Sequence, residues 1–262
     1  MSREPLRVGL IGFGTIGREL FGNLAARPND YEIAFVHIRS AANLAGIPAS
    51  LRLGRLADAQ THRPDLIVEA ASPDVTRLHG AQLLAVADYL PLSVTALADD
   101  ALLLSLIDTA RAAGHHLLIP HGALVGAESL LEWREQWAAV TITFRKHPDS
   151  IDFGAATPQL TGPTVLFDGT VREIASRFPR NANAMVTCAL FSVGLDRCRA
   201  RLIADPGLGV AQLEIEAVGR DGSTLNVRRS QPMVGVSGTE MAAALLRSVA
   251  RAGGVRETLE LI

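Results

Sequence analysis

Residues Arg7–Gly17 read Arg-Val-Gly-Leu-Ile-Gly-Phe-Gly-Thr-Ile-Gly, and this stretch decides the fold. Val8–Ile11 is a short apolar run with strand character, and Ile16–Ala26 has the spacing of a helix. Between them sits Gly12-x-Gly14-x-x-Gly17. Each glycine has its own task. Gly12 permits the tight turn off the strand, Gly14 lets a diphosphate approach the backbone, and Gly17 lets helix and strand pack closely. The helix N-terminus adds free N–H groups and a positive dipole end. Strand before and helix after turn a common glycine pattern into a dinucleotide fingerprint.

Outward from this turn, strands and helices alternate. Strands are expected at Ile33–Ile38, Leu66–Glu69, Leu92–Val94 and His116–Ile119, with Leu53–Ala59 a weak segment. Helices are expected at Asp74–Leu84 and at Ala101–Ala113, the latter ended by Gly114. Such alternation indicates a Rossmann-type, doubly wound parallel sheet, an α/β fold. After about residue 124 the period changes. Ala139–Arg145, Leu213–Val218 and, loosely, Thr224–Arg228 alternate apolar and polar residues, as half-buried strands of an antiparallel sheet do. Helices are expected at Arg180–Ser192 and Thr239–Arg251. The expected organisation is a dinucleotide-binding domain over residues 1–122 and an α+β mixed-sheet substrate or dimerisation domain over 123–238. A closing helix, 239–252, would pack back on the first.

Bulk properties narrow the function class. The 262-residue chain is 48% hydrophobic and 20% charged, enough to fill a globular core. Its net charge of -2 offers no electrostatic footprint for nucleic acid or an anionic membrane. No apolar run reaches the ~18 residues of a membrane span, and Met1–Arg7 carries no signal-peptide core. Cys188 and Cys198 stand without a CxxC pattern or neighbouring histidine, so buried thiols in a reducing cytoplasm are expected, and no metal site.

The second strand ends Val36-His37-Ile38-Arg39-Ser40, with no carboxylate between Ile33 and Ser40. An acidic residue there would hold a ribose 2′-hydroxyl; an arginine suits a 2′-phosphate. Arg39, with the Ser40 hydroxyl, therefore favours NADP over NAD. The alternative is an Arg39 that is solvated, or that stacks on adenine in an enzyme accepting either cofactor.

Several further segments carry a resemblance. They are Gly12-Phe13-Gly14-Thr15-Ile16-Gly17, Val68-Glu69-Ala70-Ala71-Ser72-Pro73, Ile119-Pro120-His121-Gly122-Ala123, Thr143-Phe144-Arg145-Lys146, Phe178-Pro179-Arg180-Asn181-Ala182-Asn183 and Ala204-Asp205-Pro206. In these the chain resembles the L-aspartate dehydrogenase family nearly end to end. The resemblance implies oxidation of an amino acid at Cα by NAD(P)+, giving an imine and then a keto acid and ammonia. It implies that Gly12–Gly17, Ala71 and Ser72 line the cofactor and that Ala123 and Asn183 hold its nicotinamide end. Arg145, Lys146 and Arg180 are candidates for a substrate carboxylate, Lys146 foremost because it lies inside a matched motif. A homodimer is expected by analogy of fold.

One position departs from the family. Where the family carries a catalytic histidine in a run resembling Asn-x-His-Glu-Ile, this chain reads Ala211-Gln212-Leu213-Glu214-Ile215. Leucine moves no proton, and acid–base help is commonly worth roughly 10²–10⁴-fold in rate. Three readings stand open. His121, in a loop where family members tend to have a small polar residue, takes over; its alternative is a loop histidine capping a carbonyl. Or the enzyme is an imine reductase or amine dehydrogenase on another small acidic substrate. Or it binds NADP and is catalytically silent. His62, His79 and His115 are expected at the surface.

Overall fold

The computed structural model describes residues 4–39, 46–154, 156–234, 237–238 and 241–254. The chain divides into two units. One is built from the chain up to Pro120 and again from Ala242, and the other is His121–Met241.

The first unit is a parallel sheet of β1 (Leu6–Ile11), β2 (Tyr31–His37), β3 (Arg52–Leu53), β4 (Leu66–Glu69) and β5 (Asp88–Pro91), in the order β3-β2-β1-β4-β5. The order reverses on either side of β1, which is the topology of a doubly wound nucleotide fold. Helices α1 (Thr15–Ala25), α2 (Pro73–Leu84) and α3 (Asp100–Ala113) connect the strands. All four residues of β4 are buried, so this central strand reads as an unbroken apolar run closed by Glu69. α3 begins where the Asp99 carboxylate accepts from the Leu102 N–H (3.1 Å) and ends at Gly114 in the left-handed region, φ 72°.

Helix α7 (Met241–Ala252) completes this unit. Leu245 and Val249 are buried in one apolar cluster with Leu6, Val8 and Leu10 of β1, Leu20 and Leu24 of α1, and Val36 of β2. Burying two such side chains contributes roughly 3–5 kcal/mol.

The second unit contains α4 (Ala127–Glu132), β6 (Trp137–Lys146), β7 (Thr164–Thr170), α5 (Val171–Arg177), α6 (Asn183–Leu190), β8 (Arg199–Ala204), β9 (Ala211–Gly219) and β10 (Thr224–Gln231). Its sheet runs β10-β9-β6-β8-β7, and a two-residue pair, β11 (Met233–Val234) and β12 (Ser237–Gly238), follows. Val140, Ile142, Phe144 and Lys146 of β6 share a buried face with Leu213, Ile215 and Ala217 of β9 and Ala200, Leu202 and Ala204 of β8. Helix α6 packs against β6, and α5 against β7 and β8. The opposite face carries exposed Glu214 and Glu216, and Asp168 bonded to Arg199 at 2.6 Å.

Several expected elements need correction. The strand expected at Leu92–Val94 is instead β5, Asp88–Pro91, and Val94–Ala98 is a short 3-10 turn. His116–Ile119 is no full strand; a single bridge joins Leu117 to Tyr89. The second sheet is mixed, as expected: β6 and β8 run parallel while β6 and β9 run antiparallel. His62 is not a plain surface residue: its Nδ1 lies 3.0 Å from the Ala34 carbonyl and its ring meets Phe35 edge-on. His115 is likewise half-buried, 2.7 Å from the Leu84 carbonyl. Cys188 and Cys198 are both buried free thiols.

Candidate functional site

In the first unit the glycine turn is tightly specified. Gly12 has φ 100°, and a Cβ there would stand 2.5 Å from the Ala70 carbonyl oxygen and 2.9 Å from the Ala71 nitrogen. A Cβ on Gly17 would strike the Gly12 carbonyl. A Cβ on Gly14, by contrast, would meet nothing within 4 Å. So two glycines are demanded by the protein's own backbone, and the third faces open space. Gly14 caps α1 with no side-chain hydrogen bond, and the first turn contains no acidic residue. The N–H groups and dipole of this end are therefore available to an anion. The residues fit a dinucleotide diphosphate.

Phe13 is buried in the core cluster and carries the Arg18 guanidinium over its ring, 4.8 Å from the centroid. Thr15 and Ile16 open α1. Arg39 is exposed, two residues beyond β2, and Ser40 lies outside the described residues. His37, half-buried, has Nδ1 3.0 Å from the Leu53 carbonyl, which ties β2 to β3. Ala71 and Ser72 follow β4, and Ser72 precedes Pro73 at the start of α2 without using its hydroxyl as a cap. The structure thus brings Gly12 and the Ala70–Ala71 peptide into contact.

In the second unit the matched motifs lie on the His121–Ala123 turn, at the end of β6, in the segment before α6 and at the end of β8. His121 is half-buried, and its carbonyl accepts from the Leu124 N–H at 2.9 Å. Ala123 sits in the same turn, after Gly122 at φ 56°. Asn183 is the first residue of α6. The segment before it is pinned: Asn181 accepts from the Asp152 N–H (3.1 Å) and donates to the Asp152 carbonyl (2.8 Å), while Arg180 pairs with the Asp152 carboxylate at 3.0 Å. Arg145 pairs with Asp205 at 3.7 Å. Both arginines considered for a substrate carboxylate thus have acidic partners within the chain. The sequence alone does not mark Asp152, Asn181 and Asp205; for Asn181 and Asp205 the one signal is their place inside the matched motifs.

Lys146 differs. It ends β6 on the buried face and is only 4% exposed. Burial lowers its pKa from 10.5 to about 8. Its ammonium stands 4.7 Å from the centre of the Phe144 ring, a cation–π contact. Phe144 pairs with Leu213 across the sheet, and Ala211 lies on the same face at the same end. Leu213 is 2% exposed. The two positions where the family pattern has polar groups therefore supply apolar surface near Lys146.

Among the described residues, no group of three or more His, Cys, Asp or Glu could hold a metal ion. No described helix is long and apolar enough to cross a membrane.

Comparison with known proteins matches this arrangement. A model of the C-terminal domain of aspartate dehydrogenase matches residues 132–251, and one of the NAD-binding domain of homoserine dehydrogenase matches residues 12–120. L-aspartate dehydrogenase 1 of Bordetella pertussis is 33% identical over 256 residues, covering 93% of this chain and 96% of its own. The chain belongs to the aspartate dehydrogenase family. Another aspartate dehydrogenase relative, a domain-containing protein of Xenopus tropicalis, is 36% identical over 79% of this chain and 78% of its own. Aspartate dehydrogenase from Thermotoga maritima superposes with a TM-score of 0.76 at 23% identity, covering 98% of this chain and 99% of its own, so the fold extends across the family. The first unit is a nicotinamide-nucleotide domain on this basis.

Proposed function

We propose that the protein is an NADP-preferring amino-acid dehydrogenase of the aspartate dehydrogenase type, interconverting L-aspartate with oxaloacetate and ammonia through the imine. The observation that carries the substrate class is the likeness to an aspartate dehydrogenase over 93% of the chain, with Lys146 buried at the end of β6 inside a matched motif as the cation for a substrate carboxylate. At neutral pH a group with a pKa of about 8 is mostly charged. Gly12–Gly17, Ala71, Ser72 and Arg39 would hold the dinucleotide, and Ala123 with Asn183 its nicotinamide end. A nicotinamide bound there would supply the hydride chemistry. Lys146 orients the substrate through a carboxylate. His121 moves the proton that Leu213 leaves unserved, since an imidazole can both donate and accept. The preference for NADP rests on Arg39, which offers a charge-assisted fork to a 2′-phosphate.

A second reading, reduction of a different small acidic imine, is favoured by the dry contact of Leu213 with Phe144. The two separate on NADPH oxidation with ammonium and a panel of keto acids. Turnover with oxaloacetate supports the first. Turnover with other keto acids alone supports the second. NADPH binding with no turnover across the panel overturns both and leaves a silent binder. We also infer a cytoplasmic homodimer; the buried free thiols suit a reducing compartment, and light scattering tests the dimer.

A further inference from the structure

Glu69 is the last residue of β4 and is fully buried. A buried carboxylate without partners would be prohibitively costly, so its neighbours identify its task. Oε1 accepts the Ala71 N–H at 2.6 Å and the Ser93 hydroxyl at 3.1 Å, and Oε2 accepts the Ser93 N–H at 3.1 Å. The Ser72 N–H also hydrogen-bonds to it. Its backbone is equally committed: Glu69 pairs with Ile11 of β1 and Pro91 of β5, and its carbonyl accepts from Leu92 at 2.8 Å. The Ala70–Ala71 peptide that it holds is the surface on which the Gly12 turn rests. One side chain thus ties together the segments leaving β4 and β5, beside the turn leaving β1, all at the edge of the sheet where such folds bind ligands.

We propose that Glu69 is a positioning residue for the nicotinamide nucleotide, its carboxylate fixing the Ala71–Ser72 segment against the glycine turn and Ser93. The inference rests on the dinucleotide reading of the first unit. The ionised form accepts from all of these donors at once. An amide turns a hydrogen towards the Ala71 or Ser93 N–H, and a protonated acid places its hydrogen only by reversing the Ser93 hydroxyl bond. The backbone N–H groups of Ala71 and Ser93 have no acceptor to offer in return. Burial raises the pKa of Glu69, partly opposed by these same hydrogen bonds. The ionisable side chain facing it is Tyr89 of β5, which is kept neutral by burial and by the charge of Glu69, and whose hydroxyl lies 2.9 Å from that of Thr76.

The test is nucleotide binding by the full chain, measured by calorimetry. Glu69→Gln is expected to weaken NADPH at pH 8 by roughly ten- to a hundredfold, the loss of hydrogen bonds to a charged acceptor. The KM for keto acid at saturating NADPH is expected to change little. NAD+, which lacks the 2′-phosphate that titrates in the same range, is then titrated from pH 8 to pH 5. Wild-type affinity is expected to fall towards that of the variant as Glu69 protonates, while the affinity of Glu69→Gln stays flat. Should Glu69→Gln not fold, Ser93→Ala removes one donor and is expected to weaken NADPH about threefold to tenfold. Equal NADPH affinity in wild type and variant, or an unchanged pH slope in the variant, overturns the role of Glu69 alone. A wild-type protein that binds neither NADPH nor NAD+ overturns the dinucleotide reading with it.

Discussion

Replacing Lys146 by methionine is expected to make the protein more stable and less active, with the stability gain depending on pH. Lys146 is 4% exposed, and burial lowers its pKa from 10.5 to about 8. At about 1.4 kcal/mol per unit, keeping the ammonium in the folded protein costs about 3 kcal/mol at pH 7, where both folded and unfolded chains hold the proton. Between pH 8 and 10.5 the folded chain has released that proton and the unfolded chain still binds it. Wild-type stability therefore recovers as pH rises through this window. Methionine keeps an unbranched stem over Phe144 and carries no charge, so it escapes the penalty at every pH. The variant's advantage is expected to be about 3 kcal/mol at pH 7 and under about 1 kcal/mol at pH 10. Both tryptophans, Trp133 and Trp137, lie in the second unit, so urea unfolding followed by tryptophan fluorescence reports the unit that contains Lys146. Activity is expected to move the other way, with the KM for the dicarboxylate substrate rising on the order of a hundredfold as a charged pair is lost. A variant destabilised equally at pH 7 and pH 10 refutes the reasoning, because the ammonium is then not held at a net cost.

Three other substitutions test separate residues. Arg39→Ala is expected to weaken NADPH about ten- to a hundredfold and NADH by less than about threefold in equilibrium titrations; equal losses remove the 2′-phosphate argument. His121→Ala is expected to lower kcat on the order of a hundredfold with NADPH affinity nearly unchanged, and unaltered kcat shows that another group moves the proton. Gly12→Ala forces a side chain into a backbone at φ 100° against the Ala70 carbonyl. It is expected to cost about 2 kcal/mol or more in thermal or urea unfolding and to abolish detectable nucleotide binding. Near-normal binding excludes the turn as the grip.

What was legible in the sequence was what is decided locally. β4 was readable to the residue because a strand buried on both faces is uniformly apolar. α3 was readable to within a residue because Gly114 marks its end. β5 was misplaced because Pro91 looks like a breaker; at the last position of the strand its missing N–H costs nothing. β8 was overlooked because Arg199 and Arg201 look unlike strand residues until Asp168 of β7 is seen beside both. The site divides the same way. The glycine turn is a local pattern. Lys146 pairs with Ala204, which is distant in the chain, and the clamp at Glu69 depends on Ser93. The pairing of Arg145 with Asp205 and of Arg180 with Asp152 is equally invisible in the sequence.

The helix Met241–Ala252 gives the nucleotide unit a broken thread: its core receives Leu245 and Val249 only after the whole of His121–Met241 has intervened. On a ribosome the sheet around β1 must wait, with Leu6, Leu20 and Leu24 uncovered, until the inserted unit has been made. Synthesis order and assembly order then differ, and a nascent chain halted before Met241 presents an apolar strip suited to a chaperone.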